Sequence, residues 1–319
     1  MDATTSRRGL VPASFVLGGA LLSLIGLSWD IQWHNDVGPD TFFTMPHLFL
    51  YAGSAVAGFA SLAVVLSTTA AQRRGEPIDP AVGGRAVGVF GRTFAAPVGY
   101  LISGTGAAGF LLYGLWDEWW HGLYGFDVTI ASPPHIGFLL SIQITMVGAL
   151  VVFMAARRAR WGVVGTMLSA ATLIAFSVVT VMGLEALPVD EATVVGAGVV
   201  FVCVVVVVMS ARALDGRAAV GVVAAVAAMQ AVLWWFSPWA TVLYADAIGL
   251  PMRDFLEGVP GHSAMIPMVL LLVGVLVGVL RRAPAWLIGA IAGTVIGGCL
   301  PLQEAWLYGG EARSSSPFS

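Results

Sequence analysis

Nine long apolar stretches follow one another along this chain of 319 residues and restrict what it can fold into. Crossing the hydrocarbon core of a bilayer takes about 20 helical residues. The stretches lie at residues 10–29, 45–68, 95–117, 134–156, 161–183, 192–211, 218–240, 263–280 and 284–303. Because backbone polar groups find no water in lipid, each stretch must form a helix. The sequence therefore predicts an all-α integral membrane protein, with residues 1–319 forming one bundle of about nine transmembrane helices.

Composition agrees with this fold class and limits the partners. Hydrophobic residues make up 58% of the chain and charged residues 10%, whereas a soluble domain carries about 25% charged residues. The net charge of −3 argues against a nucleic-acid-binding surface. We expect the lipid bilayer as partner, together with other membrane subunits or further copies of the chain. Cys203 and Cys299 each lie in an apolar run and are interpreted as buried hydrophobes, although a disulfide between them stays open.

The arginines indicate an orientation, since the chain has no lysine. Thirteen of the 15 arginines fall on one side of a nine-span arrangement, and only Arg253 and Arg313 fall on the other. The thirteen are Arg7, Arg8, Arg73, Arg74, Arg85, Arg92, Arg157, Arg158, Arg160, Arg212, Arg217, Arg281 and Arg282. Since basic residues stay in the cytoplasm, we expect a multi-pass protein of the cell membrane with a cytoplasmic N-terminus and an extracytoplasmic C-terminus.

The hairpin formed by the first two predicted spans is repeated in the next two. The copies cover about residues 10–68 and 95–156, and both contain Asp-x3-His, then Asp, then Pro-His. The first copy contains Asp30, His34, Asp40 and His47, and the second contains Asp117, His121, Asp127 and His135. A degenerate third copy at about 218–280 keeps only Asp254 and His262. All five histidines of the chain thus fall on the side away from most arginines.

The spacing of these residues predicts two metal sites. An Asp and a His four residues apart share one face of a helix. His47 follows Pro46 and His135 follows Pro134, so both should lie in the first turn of the next helix, with Thr44 and Ser132 as N-caps. Each hairpin then offers one carboxylate and two imidazoles to one ion. The predicted ligands are Asp30, His34 and His47 for one site, and Asp117, His121 and His135 for the other.

The remaining polar residues have less specific interpretations. Asp40 and Asp127 are candidates for orienting a ligand imidazole from behind. Asp254 and His262 form a weak third cluster, which is either a metal site or solvated charge. Histidine and tryptophan also collect at membrane interfaces without binding anything, but the repeated triad spacing favours metal binding. The nitrogen and oxygen donors suit copper, iron(II) or zinc.

At these residues the sequence resembles the C subunit of the copper membrane monooxygenases, the particulate methane and ammonia monooxygenase family. The copper sites of that subunit use Asp-x3-His followed by His thirteen residues on, and Asn-x3-His followed by His fourteen residues on. Asp30, His34 and His47 match the first spacing, and His121 and His135 match the second, with Asp117 where the family has Asn. The resemblance covers two windows of about 20 residues. It implies a copper cofactor, oxidation of small apolar substrates and two partner subunits.

Two other function classes stay open beside a copper-dependent monooxygenase. A non-catalytic membrane protein that binds and delivers copper would use the same ligands. A structural or channel-like helix bundle would use the histidines, aspartates and tryptophans as interfacial anchors. The motif Gly104-x-Gly106-x-x-Gly109 has the form of a dinucleotide fingerprint, but it lies within a predicted span and is interpreted as close helix packing.

Overall fold

The computed structural model describes residues 9–38, 40–125, 131–187, 190–254 and 258–309. Within these residues, nine helical spans are long and apolar enough to cross a membrane, which confirms the predicted all-α bundle. The helices are α1 (Leu10–Asp36), α2 (Met45–Arg73), α3 (Val98–Tyr124), α4 (Pro133–Ala155), α5 (Arg160–Thr180), α6 (Glu191–Ala213), α7 (Gly216–Ile248), α8 (Gly261–Met265), α9 (Leu270–Val279) and α10 (Ala285–Tyr308). A 3₁₀ segment, Val181–Ala186, extends α5, and α8 and α9 together form one span.

Several helices continue beyond the apolar stretches that predicted them. The helix α1 ends at Asp36, although its apolar stretch ends at residue 29, and α3 ends at Tyr124 rather than at 117. The backbone hydrogen-bond ladder continues through polar residues, because helix geometry needs no apolar side chain at the membrane surface. Asp30 and His34 therefore lie on the last turns of α1, as the four-residue spacing requires.

A small β-hairpin precedes α3 and corrects the predicted start of the third span. Its strands, β1 (Ala86–Val89) and β2 (Phe94–Pro97), pair antiparallel with Ala86 opposite Pro97. Residues 95–97, which the hydropathy pattern assigned to the helix, belong to β2 instead. The helix begins only at Val98, directly after Pro97 in extended conformation.

The span formed by α8 and α9 is interrupted at Ile266–Val269, around Pro267. Proline has no backbone N–H to donate, so carbonyl groups near it lose their helical partners. Gln230 of α7 donates its side-chain N–H groups to the carbonyls of Ser263 and Ile266, at 2.9 and 3.0 Å. Gln303 of α10 donates to the carbonyls of Ala264 and Ile266, at 2.7 and 3.1 Å. Two glutamines thus replace the water that lipid cannot provide.

The bundle has two chemically different ends. At one end, which we call the arginine-rich face, α1, α3, α5, α7 and α10 begin, and every described arginine except Arg253 lies there. At the other end, which we call the histidine face, α1 and α3 end and α2 and α4 begin. Both hairpins of the repeat thus present their histidines at the same end of the bundle.

Glycine allows close contact between α3 and α4. A Cβ atom on Gly106 would lie 2.5 Å from the backbone N of Thr145 and 2.6 Å from the carbonyl O of Ser141, which leaves no room for a side chain. This contact confirms that the glycine motif of α3 serves helix packing. Both cysteines are free thiols, which excludes the disulfide.

Candidate metal centre

The first ligand cluster forms where α1 ends and α2 begins. Asp30 and His34 lie one turn apart on α1, and His47 lies in the first turn of α2. Asp30 Oδ1 is 3.0 Å from His47 Nε2 and 3.7 Å from His34 Nε2. The structure therefore brings together the three residues that the sequence proposed for one ion.

Asp40 belongs to this cluster as well. Its Oδ2 lies 3.1 Å from His47 Nε2 and 3.5 Å from His34 Nε2, and its side chain is only 1% exposed. The sequence analysis expected Asp40 to orient an imidazole from behind, whereas its carboxylate contacts the same Nε2 atoms as Asp30 does. Asp30, His34, Asp40 and His47 can each offer one ligand atom, and these four atoms lie within 4.8 Å of one another.

The second cluster forms in the same way between α3 and α4. Asp117 Oδ2 lies 3.3 Å from His121 Nε2 and 3.8 Å from His135 Nε2. The two imidazole rings meet edge to face, with their centroids 5.2 Å apart. These three residues can offer three ligand atoms to one ion. Asp127, the counterpart of Asp40, lies outside the described residues.

Hydrogen bonds to Nδ1 fix the orientation of three imidazoles. His47 Nδ1 lies 3.0 Å from the carbonyl O of Thr41, and His121 Nδ1 lies 3.0 Å from the carbonyl O of Gly125. His135 Nδ1 lies 3.1 Å from Ser132 Oγ. A carbonyl oxygen only accepts, so His47 and His121 donate from Nδ1, and a neutral ring then offers the Nε2 lone pair to the cluster. Histidines that bind metals are commonly held in this way.

The clusters therefore consist of electron-pair donors that face one another. Lone pairs of imidazole nitrogen and carboxylate oxygen repel each other unless a cation lies between them. Asp40 Oδ1 and Asp117 Oδ1 are buried and have no hydrogen-bond partner within the described chain. A tetrahedral ion with bonds of about 2.0–2.2 Å holds neighbouring ligand atoms about 3.3–3.6 Å apart. The observed nitrogen–oxygen distances, from 3.0 to 3.8 Å, bracket this range, so both clusters fit a metal ion.

Both clusters line one cavity of about 100 Å³, which the sequence did not predict. All seven clustered residues line it, and Glu118, next to Asp117, adds a further carboxylate. With four carboxylates, neutral imidazoles and no arginine among the residues that line it, the cavity has a formal charge of −4. Uncompensated charge within a membrane-spanning bundle is costly. Two divalent cations would balance this charge completely.

The rest of the cavity wall is apolar. Side chains from α1, α2, α4 and the end of α5 form this part of the wall, together with Phe42 from the loop between α1 and α2. The wall residues are Leu27, Ile31, Phe42, Leu50, Tyr51, Phe138, Leu139 and Val179. Tyr51 is the one wall residue with a hydroxyl group, and its ring packs on Phe42 and Phe110, with centroids 4.9 and 5.9 Å away. The cavity therefore joins two polar clusters to a space that suits a small apolar molecule.

One turn below each cluster, a glycine packs against an aromatic residue of the neighbouring helix. Gly26, four residues before Asp30, faces Phe49 on α2, and a Cβ at Gly26 would lie 2.9 Å from the backbone N of Leu50. In the second hairpin the roles are exchanged. Tyr113, four residues before Asp117, lies against Gly137 on α4, where a Cβ atom would overlap the tyrosine ring. Either arrangement lets the two helices approach closely enough for their ligands to meet.

Arg253 fixes the loop that leads from α1 to Asp40. Its backbone N–H donates to the carbonyl of Asp36 at 2.7 Å, and its guanidinium donates to the carbonyl of Asn35 at 3.4 Å. A cation at a helix C-terminus is favourable, because the last carbonyls there are unpaired. The guanidinium also lies against Gly38, whose φ of +99° and lack of a side chain permit this contact. This arrangement explains why an arginine lies on the histidine face.

The structure does not bring Asp254 and His262 together as a third ligand cluster. His262 is 1% exposed, and its Nε2 donates to the carbonyl of Ala175 at 2.8 Å. Asp254 is exposed at the surface. Only two groups of three or more possible ligands occur in the described part of the chain, and neither includes these residues. The third copy therefore preserves the spacing of the repeat without its geometry.

Ser132 provides a test of the second cluster that leaves the first cluster intact. Its hydroxyl caps α4 by accepting from the backbone N–H of His135, and it also contacts His135 Nδ1. We expect Ser132→Ala to weaken metal binding at the second cluster by about 10–100-fold, as loss of such supporting contacts does. Metal titration followed by equilibrium dialysis would measure this change. Thr44→Ala is the matched control, because Thr44 lies at the N-cap of α2 but makes no capping bond.

Comparison with known proteins adds no relative from which a function could be inferred. The geometry of the two clusters and of their shared cavity is therefore the basis for assigning one. The chain matches no protein-family model, no curated protein and no solved structure.

Proposed function

We propose that this protein is a membrane metalloprotein that binds two copper ions and oxidises a small apolar substrate. The observation that carries the proposal is the cavity that joins two Asp/His clusters to an apolar wall. Ligands and substrate space in one cavity are what an oxidase of apolar molecules needs. The resemblance of the repeated motif to the copper membrane monooxygenases supports copper over iron and zinc, which accept the same donors.

The two clusters suit different roles. Catalytic metal sites commonly have three protein ligands and an open position, whereas closed sites have four. Asp117, His121 and His135 form a three-ligand set, so we assign the reaction to the second cluster. The first cluster has four possible ligands with Asp40, and it suits an ion that is held rather than exposed. Bound copper would supply the one-electron chemistry towards dioxygen, while the apolar wall would orient the substrate and exclude water.

A non-catalytic copper-binding protein is the second candidate function. The four-ligand first cluster favours it, because a complete ligand set retains an ion. The donor chemistry favours it less. Reduced copper is selected by cysteine and methionine sulphur, and no sulphur atom occurs among the residues that line the cavity in the described structure.

Metal loading and turnover would test the proposal. Protein purified in detergent, stripped and reloaded with copper should hold two ions per chain, since two divalent ions balance the cavity charge. With a reductant and dioxygen, it should convert a small alkane or alkene to its oxygenated product. The control is His121→Gln, which should keep the first ion and lose turnover.

The outcomes separate the two candidate functions. Two bound ions without any product, with the partner subunits that the resemblance implies supplied or absent, would favour copper handling. Iron or zinc binding in preference to copper from an equimolar mixture would contradict the choice of metal.

We further propose that the histidine face is extracytoplasmic, because the arginines lie at the opposite end. Reporter fusions at Pro80 and Gly216 should then be active in the cytoplasm, and fusions at Glu191 and beyond Gly310 should be active outside it. A paired alkaline phosphatase and fluorescent protein assay would measure both sides. A cytoplasmic reporter at Glu191 would contradict this orientation.

A further inference from the structure

A second cavity, of about 280 Å³, lies at the arginine-rich face, at the opposite end of the bundle from the metal clusters. The starts of α1 and α5 meet there with the end of α4 and with the segment before the β-hairpin. Its lining comprises Gly9, Asp79–Val82, Ala155–Ala159 and Trp161. None of these residues belongs to the repeated hairpin motif, and the proposed oxidation does not use them.

The charges in this cavity favour an anion. Arg157 and Arg158 both line it, and neither forms an ion pair with a carboxylate in the parts of the chain that the structure describes. The single carboxylate of the lining belongs to Asp79, whose Oδ1 accepts from the backbone N–H of Ala81 at 2.9 Å. Two guanidinium groups therefore face one carboxylate that already binds its own turn.

The backbone adds further donors to the same cavity. Gly9 and Ala159 are the N-cap residues of α1 and α5, and neither helix receives a side-chain cap. The first N–H groups of a helix have no partner within it and point outward with the positive end of the helix dipole. Trp161 packs on Phe153, with ring centroids 5.9 Å apart. Its indole lies at the end of a span, where tryptophan commonly marks the headgroup region.

We propose that this cavity binds a phosphate group, supplied by the headgroup of an anionic phospholipid. Arginine binds phosphate with two parallel hydrogen bonds, and basic pockets between transmembrane helices recognise anionic headgroups. The cavity lies where spanning helices begin and end, which is the depth of the lipid phosphates. A lipid phosphate there would connect the starts of α1 and α5 to the segment that leads into the β-hairpin.

Lipid retention would test this site. The purified full-length protein would be exchanged into detergent with phosphatidylglycerol or phosphatidylcholine, and bound lipid would be counted by native mass spectrometry. We expect one phosphatidylglycerol per chain, and weaker retention of phosphatidylcholine. Arg157→Gln with Arg158→Gln should weaken phosphatidylglycerol binding about thirty-fold, and Arg158→Gln alone about five-fold, at about 1 kcal/mol for each arginine.

The control variant is Arg281→Gln with Arg282→Gln, which removes the same charge from the same face outside the cavity. It should retain the lipid. Equal loss in both double variants, or equal retention of the two lipids by the native protein, would overturn the proposal. A separate titration uses inorganic phosphate. Displacement of phosphatidylglycerol by phosphate supports the shared site, whereas phosphate binding without any lipid retention would overturn the lipid as its source.

Discussion

Replacing His34 and His121 together by alanine should remove nearly all metal from the purified protein. Each change deletes one imidazole from one cluster and leaves carboxylates that no longer share an ion with two nitrogens. Because the clusters have separate ligands, His34→Ala alone should lose about one of two ions, and His121→Ala alone should lose the other. Inductively coupled plasma mass spectrometry of the detergent-purified variants would measure these losses against the native protein.

His262→Gln is the matched control, because His262 is the one histidine outside both clusters and its ring contacts only the backbone carbonyl of Ala175 among the hydrogen bonds described above. This variant should keep both ions. Full metal content in the His34→Ala, His121→Ala double variant would show that the bound metal is adventitious. Protonated imidazoles would then be the cations that hold the carboxylates together, and the proposed oxidation would have no metal centre.

Replacing Gly26 by leucine should disrupt the first cluster without removing any ligand. A Cβ at Gly26 would lie 2.9 Å from the Leu50 backbone N and 3.0 Å from the Pro46 carbonyl O, so the start of α2 must move away from α1. His47 would move with it and away from Asp30. We expect a destabilisation of about 3 kcal/mol, as for severe overpacking, and loss of the first ion. Unfolding in denaturing detergent and metal analysis would measure the two effects.

Gly18→Leu is the control for this change, because Gly18 lies on the same helix with nothing within 4 Å of the position of an added Cβ. Its stability and metal content should match those of the native protein. If Gly26→Leu keeps both ions, the contact between α1 and α2 does not set the geometry of the first cluster.

The hydropathy pattern predicted most of the fold, and the repeat predicted the six residues that meet in pairs of helices. Both predictions rest on local rules. A span needs an apolar stretch of sufficient length, and the pair Asp30 and His34, four residues apart, shares a helix face wherever that helix packs. The short connection between α1 and α2 then leaves His47 little choice of position. The end of α1 was missed because Trp29 to Asp36 is too polar to be counted as membrane-spanning.

The features that sequence reasoning missed depend on packing between distant segments. Asp40 lies in a loop, where no periodicity indicates which way its side chain faces, and Arg253 packs against that loop from more than 200 residues away. The shared cavity exists because the two hairpins pack side by side, which no single motif encodes. His262 has the spacing of a ligand, but without an upstream Asp-x3-His it turns into the core instead.

The interrupted span also constrains the order in which the protein can be completed during biosynthesis. A ribosome delivers Gln230 to the membrane before the broken segment, but it delivers Gln303 last. Until α10 arrives, the carbonyl of Ala264 lacks its partner, the carbonyl of Ile266 has one donor instead of two, and the Met268 N–H lacks the Gln303 oxygen that accepts it at 2.7 Å. The nascent bundle therefore stays incompletely bonded at its centre until its final helix inserts, and a chain shortened by that helix alone would expose this defect to lipid or to the quality-control machinery of the membrane.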